Sequence, residues 1–311
     1  MRLLGKRMTA RRPGQQDHRA SMMLFMSTSL TLQTPRQRTL ITVAVLAALT
    51  AGCNSLGGPG TIRSAGVAEV EQRSEATETN IASLNQVVAA NASSPEPYNT
   101  RGAAYARIGR FTEAITDFST AIKLDPNNVA AYTNRALAYR QTSRNDQALA
   151  DFNMAITANP RHAPAYLGRA NLLRMQGNLQ DAMADLDAAI RLNPEGAPAF
   201  HARGLIWQRE GDHARAVTDF DNAIDRDPFA SAPYLARGQS LIALAKYDAA
   251  IEDFNATLNV DNRSGDAWAG LGLAYERQGN RAKASESYQR SLVVDPGNRL
   301  ARDGQSRTGR G

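Results

Sequence analysis

Apolar positions along the chain follow two nested rhythms. Between Val67 and Ala92, Ile81, Leu84, Val87 and Val88 recur three or four residues apart, which places them on one face of a helix. From residue 95 onward the helical rhythm itself repeats. The stretch GAAYARIGRFTEAITDFSTAIKLDPNN (102–128) aligns with ALAYRQTSRNDQALADFNMAITANPRH (136–162) at an offset of 34 residues, and the offset holds to Asn298. It divides the chain into six units: 95–128, 129–162, 163–196, 197–230, 231–264 and 265–298.

Each unit repeats the same chemistry in the same places. Position 4 is aromatic (Tyr98, Tyr132, Tyr166, Phe200, Tyr234, Trp268), and position 8 is small (Gly102, Ala136, Ala170, Gly204, Gly238, Gly272). Position 20 is alanine in all six units, and position 24 is large: Phe118, Phe152, Leu186, Phe220, Phe254 and Tyr288. Small residues let two helices approach, and the large side chains fill the space beside them. Pro126, Pro160, Pro194, Pro228 and Pro296 are placed to end a second helix, because proline cannot continue the hydrogen-bond ladder. Unit five has Asn262 there, which leaves open whether its joint to unit six is loose or helically continuous.

This pattern resembles the tetratricopeptide repeat, a helix–turn–helix unit of that length. The resemblance implies an all-α solenoid, because one repeat cannot bury its apolar face alone and must stack on its neighbours around a concave inner surface. Residues 67–94 would then cap one end. Residues 299–311 would supply the other cap, from Arg299 to Ser306, and a disordered tail.

One pattern is particular to this chain. Position 7 is arginine in five units (Arg101, Arg135, Arg169, Arg203, Arg237), and position 23 is aspartate in the same five (Asp117, Asp151, Asp185, Asp219, Asp253). The sixth unit loses both, with Leu271 and Ser287 in their places. Joint loss points to a partly buried charge-assisted contact, either between the two helices of a repeat or across a repeat junction. An arginine ladder for a polyanion is the competing reading. The pairing is favoured because an unpaired arginine in a packed seam is costly.

The front of the chain carries different chemistry. Leu40–Ala51 is a twelve-residue run of apolar and small side chains behind Arg36 and Arg38, too short to span a bilayer and suited to the hydrophobic core of an export signal. It ends at Cys53, the only cysteine, which excludes an intramolecular disulfide. Leu49-Thr50-Ala51-Gly52-Cys53 resembles the bacterial lipobox, whose cysteine is diacylated and becomes the first residue after cleavage. Residues 1–53 are thus expected to be a lipoprotein signal region. A leader counted from Met1 would be 52 residues, whereas one counted from Met26 would be 27, so a start at Met26, or at Met22 or Met23, is expected, with residues 1–25 outside the mature protein. The Gly-rich residues 54–66 would tether anchor to solenoid.

Removing that region changes the charge balance. Residues 1–53 hold eight of the 36 Lys and Arg and one of the 30 Asp and Glu, which leaves 28 positive against 29 negative charges in residues 54–311. The basic character belongs to the leader, so no nucleic-acid footprint is expected on the folded part.

Catalysis has no candidate residues. His162, His201 and His213 are the histidines beyond the leader, and they lack the HExxH spacing of two zinc ligands on one helical face. No serine occupies a Gly-x-Ser-x-Gly elbow, and the glycines fall in repeat turns. Neither a cofactor nor a metal is implied.

Binding remains. In the resembled family the first helix of each unit lines the concave face through positions 2, 5, 9, 12 and 13. By position these include Arg107, Leu137, Arg140, Leu167, Asn171, Arg174, His201, Leu205, Arg209, Leu235, Gln239, Ile242, Leu273 and Arg277. The surface is apolar with interspersed arginines. It lacks the carboxylate clamp of chaperone-binding members, of which only Asn171 and Arg174 are an echo. A lipobox followed by such repeats resembles bacterial envelope lipoproteins of the new lipoprotein I (NlpI) type, which implies a periplasm-facing adaptor for envelope proteins, with the outer membrane favoured by Asn54. A pilus or secretion assembly lipoprotein is the first alternative, and a repeat domain tied to an envelope enzyme is an alternative of another class.

Overall fold

The computed structural model of the chain describes residues 80–309, which form helices joined by short turns with no strand. Cys53, the tether 54–66 and residues 67–79 of the capping segment lie outside the described residues. A first helix, α1, spans residues 80–90. The first helices of the six units are α2 (Pro95–Arg107), α4 (Val129–Gln141), α6 (Ala163–Gln176), α8 (Ala197–Arg209), α10 (Ser231–Ala243) and α12 (Gly265–Arg277). The second helices are α3 (Phe111–Leu124), α5 (Asn145–Ala158), α7 (Leu179–Leu192), α9 (His213–Arg226), α11 (Tyr247–Val260) and α13 (Arg281–Val294), and α14 (Arg299–Thr308) closes the series.

Two turn designs alternate. Within a unit, position 15 adopts a left-handed backbone: Gly109, Gly177, Gly211 and Gly279 have φ between 78° and 85°, and Ser143 and Ala245 sit at 59° and 57°. The next amide then reaches back five residues, as from Arg110 N–H to Tyr105 O (2.9 Å) and from Lys246 N–H to Leu241 O (2.9 Å), which satisfies a carbonyl the ending helix leaves free. Between units, position 31 turns the chain with its side chain. Asp125, Asn159, Asp227, Asp261 and Asp295 each accept through Oδ1 from the amide two residues on, at 2.9–3.3 Å. Unit five uses the same device: Asp261 Oδ1 accepts from Arg263 N–H at 3.0 Å, and Ser264 caps α12 through Ala267 N–H. The joint of units five and six is therefore an ordinary turn in spite of Asn262, because the aspartate one residue earlier already ends the helix.

The core repeats with the turns. The alanines at position 20 and the large residues at position 24 are 0–1% exposed, each large side chain contributing roughly 1.5–3 kcal/mol of burial. Position 24 lies against the small position 8 of its own unit; a Cβ added at Gly272 would stand 2.5 Å from the Tyr288 ring. Each first helix packs against the first helix of the next unit, whereas among the described residues no second helix packs directly on the next second helix. First helices thus form the inner, closely stacked layer, and their free side is concave.

The second helices are linked instead through arginines. Arg101, Arg135, Arg169, Arg203 and Arg237 each donate from Nε and Nη2 to both carboxylate oxygens of Asp117, Asp151, Asp185, Asp219 and Asp253, at 2.6–2.9 Å. The third nitrogen, Nη1, crosses the junction to the preceding second helix, reaching Asn85, Ser119, Asn153, Asp187 and Asp221 at 2.5–3.0 Å. One guanidinium therefore ties three helices. The bond from Arg101 to Asn85 puts α1 in the place of a second helix, so the N-terminal cap is half a repeat in register. Hydrogen bonds to Asp219 and Asp253 push the Arg203 and Arg237 guanidinium groups further toward their charged form.

The C-terminal end departs from the expected tail. α14 runs to Thr308 rather than stopping at Ser306, because Arg281 donates to the carbonyls of Thr308 and Arg307, both at 3.0 Å, and so satisfies the end of the helix.

Two predictions follow from these contacts. Arg169→Leu should cost about 3 kcal/mol in chemical denaturation, since it strands Asp185, which has only 8% of its side chain exposed, while Arg169→Leu with Asp185→Ser should recover part of the loss. Strictly additive effects would exclude the contact. Ala245→Gly should raise stability by about 1 kcal/mol, as the left-handed strain on an L-residue exceeds the entropic cost of glycine; an unchanged or lowered midpoint would show that the turn is unstrained.

Candidate functional site

The inner layer presents a row of side chains drawn from the first helices. Arg107, Leu137, Arg140, Leu167, Asn171, Arg174, His201, Leu205, Arg209, Leu235, Gln239, Ile242, Leu273 and Arg277 are all half-buried or exposed, and none is buried. Their apolar members have a second commitment. Leu137, Leu167, Leu205, Leu235, Ile242 and Leu273 pack partly against the core clusters of their units, so they offer only one side to a partner. The polar members are freer.

The arginines divide into two populations. Those at position 7 are consumed in the three-helix ties of the outer layer. Arg107, Arg140, Arg174 and Arg209, one on each of α2, α4, α6 and α8, make no ion pair and no side-chain hydrogen bond among the described residues. Arg174 is the extreme case: its Nε is sealed from solvent without a partner. Burial pulls its guanidinium below the ordinary value, and the positive charges of Arg209 and Arg140 pull it the same way. His201 on α8 is depressed too, first by burial and then by Arg174, and its ring lies 5.8 Å from that of Phe220. Arg140, Arg174, Arg209 and His201 are therefore one electrostatic neighbourhood.

At the N-terminal end of this row a cleft of about 350 Å³ opens between Arg107 and Arg140. Its walls are largely apolar, with Ala103, Ala106, Phe111 and Leu137 among them. Beside it Asn134 Nδ2 donates to Asn99 Oδ1 at 3.1 Å and holds α4 to α2.

The C-terminal end of the row is chemically closed. Glu276, an acid on the α12 face, accepts from Arg307 Nε and Nη2 at 2.7 and 2.9 Å and from Tyr288 Oη at 2.6 Å. The Arg307 guanidinium, followed by the Tyr288 hydroxyl, holds this carboxyl below the usual carboxylate range. Arg277 beside it is exposed. Sequence reasoning missed three parts of this arrangement: the junction partners Asn85, Ser119, Asn153, Asp187 and Asp221, the cleft walls Ala103, Ala106 and Phe111, and Arg307. The first had a signal, since position 25 is a short polar residue in each unit that precedes an arginine. Arg307 had none, because its partner lies 31 residues away in a unit that breaks the pattern.

Among the described residues no group of three or more His, Cys, Asp or Glu is placed to hold a metal ion, and no helix is long and apolar enough to cross a membrane. No curated protein matches the chain in sequence. Solved structures share the fold at low identity. The chain superimposes on a chain of the APC/C hetero-tetramer Cut9–Hcn1 with a TM-score of 0.65 at 21% identity, over 72% of this chain but only 44% of that one. YrrB, described as a TPR protein with an unusual peptide-binding site, matches with a TM-score of 0.52 at 22% identity, over 61% of this chain and 97% of that one. PilW, described as a widely conserved type IV pilus biogenesis factor, matches with a TM-score of 0.61 at 18% identity, over 67% and 97% of the two chains. The tetratricopeptide repeat family model matches residues 99–163, 133–197, 167–231 and 235–299, more than half of the sequence, and with the stacked helix pairs, the position-15 turns and the buried alanine–aromatic core it places this chain in the tetratricopeptide repeat family.

Proposed function

We propose that this chain is a non-enzymatic docking scaffold of a bacterial cell envelope, held at a membrane by lipid on Cys53 and receiving partner proteins on the inner face of its first helices. The observation that carries the reading is the run of half-buried and exposed side chains along α2 to α12, contiguous across six units, with polar groups left unused at its centre. The position-7 arginines, in contrast, are all spent on internal contacts with the second helices. Within the envelope the reading is of the NlpI type, an adaptor for peptidoglycan hydrolases or proteases facing the periplasm from the outer membrane. The likeness to PilW favours one second reading, assembly of a pilus.

Two experiments test the two halves. A photoreactive residue placed at Asn171 or Gln239, on the inner face, should cross-link partner proteins in living cells, while the same residue at Lys123 or Arg191, on α3 and α7, should not. Cross-links confined to α3 and α7 would put the docking surface outside. Replacement of Cys53 by serine should abolish acylation and move the protein out of the detergent phase of an envelope extract. A wild-type protein without lipid at Cys53 would remove the anchor from this reading.

A further inference from the structure

The unpaired arginines of the inner face specify what that face binds. We infer that Arg107, Arg140, Arg174 and Arg209 form a carboxylate-reading row for one extended peptide segment that carries acidic residues at every third position and an apolar side chain at one end. The inference rests on the inner-face reading above and adds the ligand chemistry to it.

Four observations converge. The four arginines occupy successive first helices, one per unit across units one to four, and no acid among the described residues pairs with any of them. An arginine whose Nε is closed off from water with nothing to donate to is a cost that a bound acceptor would repay, since a buried donor left unsatisfied forfeits its hydration. Mutual repulsion of Arg140, Arg174 and Arg209, felt also by His201, is relieved by negative charge arriving among them. Finally, the acids on α12 are already engaged, Glu276 by Arg307 and Asp266 by Asn298, so the far end of the row neither competes for the arginines nor repels an acidic segment.

The spacing of the row sets the spacing of the ligand. First helices of neighbouring units pack directly, at the roughly 8–10 Å usual for helix pairs. An extended chain advances about 3.3 Å per residue, so about three residues correspond to one unit. A planar guanidinium suits a carboxylate held in two-point contact. The apolar cleft of about 350 Å³ between Arg107 and Arg140 then receives a branched aliphatic side chain. That cleft, together with the near-neutral balance of residues 54–311, favours an acidic peptide over nucleic acid or inorganic polyphosphate, which would offer charge without an apolar anchor.

The test uses the full chain and a fluorescein-labelled peptide of about twelve residues, with glutamate at every third position and a terminal leucine, read by anisotropy. A peptide of the same composition with its glutamates clustered, and inorganic triphosphate, serve as competitors. The spaced peptide should bind at least about ten-fold more tightly than the clustered one, and triphosphate should compete poorly. Arg174→Gln should weaken binding about ten-fold or more, the loss of one charge-assisted contact. Arg140→Gln with Arg209→Gln, both at less enclosed positions, provides a variant whose helical content and melting temperature should match the wild type. Lys123→Gln with Arg191→Gln on the outer helices should bind normally. The His201 imidazole, followed by NMR, should titrate at higher pH in the complex, because a carboxylate beside Arg174 offsets the charge that depresses it. Equal affinity for the two peptides, displacement by triphosphate, full binding by the groove variants or an unmoved His201 would each overturn the row. Cross-links at Asn171 that persist without acidic-peptide binding would sink this inference while leaving the docking scaffold in place.

Discussion

The guanidinium at position 7 is the contact that sets how the first five units are registered on one another. First helices touch their successors directly, but second helices are too far apart to do so, and the gap is spanned by an arginine that grips its own unit with two nitrogens and the previous unit with the third. A buried ion pair of this kind adds little net stability over an apolar replacement. Its consequence is geometric. A two-oxygen grip at a constant separation of 16 residues admits one register of second helix against first, and the crossing arm admits one rotation of each unit on the last. The inner face inherits its regularity from that outer constraint.

The same residue type does opposite work on the two faces. Outside, every position-7 arginine is matched by aspartate, and at the junctions of units three with four and four with five the crossing arm meets a second carboxylate, Asp187 or Asp221, each with more than 40% of its side chain exposed. Those outer pairs lie largely in water and add modest energy. Inside, Arg174 is enclosed and unmatched. Leaving one guanidinium nitrogen of the half-buried Arg174 sealed and unsatisfied makes sense only if the expense is small beside the many buried aromatic and alanine contacts of each unit, and the position-24 side chains supply that margin.

How far the sequence alone leads differs between scaffold and surface. The six units, the position-7 to position-23 pairing, and the small-against-large core were legible because each follows from residues recurring at a fixed offset. The inter-unit turn was only half legible. Prolines drew attention, yet the helix-ending work falls to Asp or Asn one place earlier, which is why unit five turns normally with Asn262. The left-handed backbone at Ser143 and Ala245 was hidden, since neither residue announces a positive φ. On the inner face, position assigned the candidate residues, but whether an arginine there is spent or spare depends on contacts that no periodicity encodes.

The sixth unit shows what stopping a solenoid requires. The second helices that a position-7 arginine would tie, α11 and α13, are both present here, yet Leu271 fills the seam instead, 2% exposed, so this junction packs without an ion pair. Ser287, relieved of an ion-pair role, bonds back to the Lys283 carbonyl at 2.8 Å. Position 24 changes from phenylalanine to tyrosine, and its hydroxyl leaves the core to meet Glu276, where Arg307 of α14 also lands. The arginine tie that each earlier unit makes to the preceding second helix is absent at the last one, and an ion pair stands across the end of the groove. A single α14 buries the final apolar face through Ala301 and Gly304. Its polar remainder faces water. Capping and closing the groove are then the same event, because the arginine that fastens the cap is the one that takes the Glu276 carboxylate out of play.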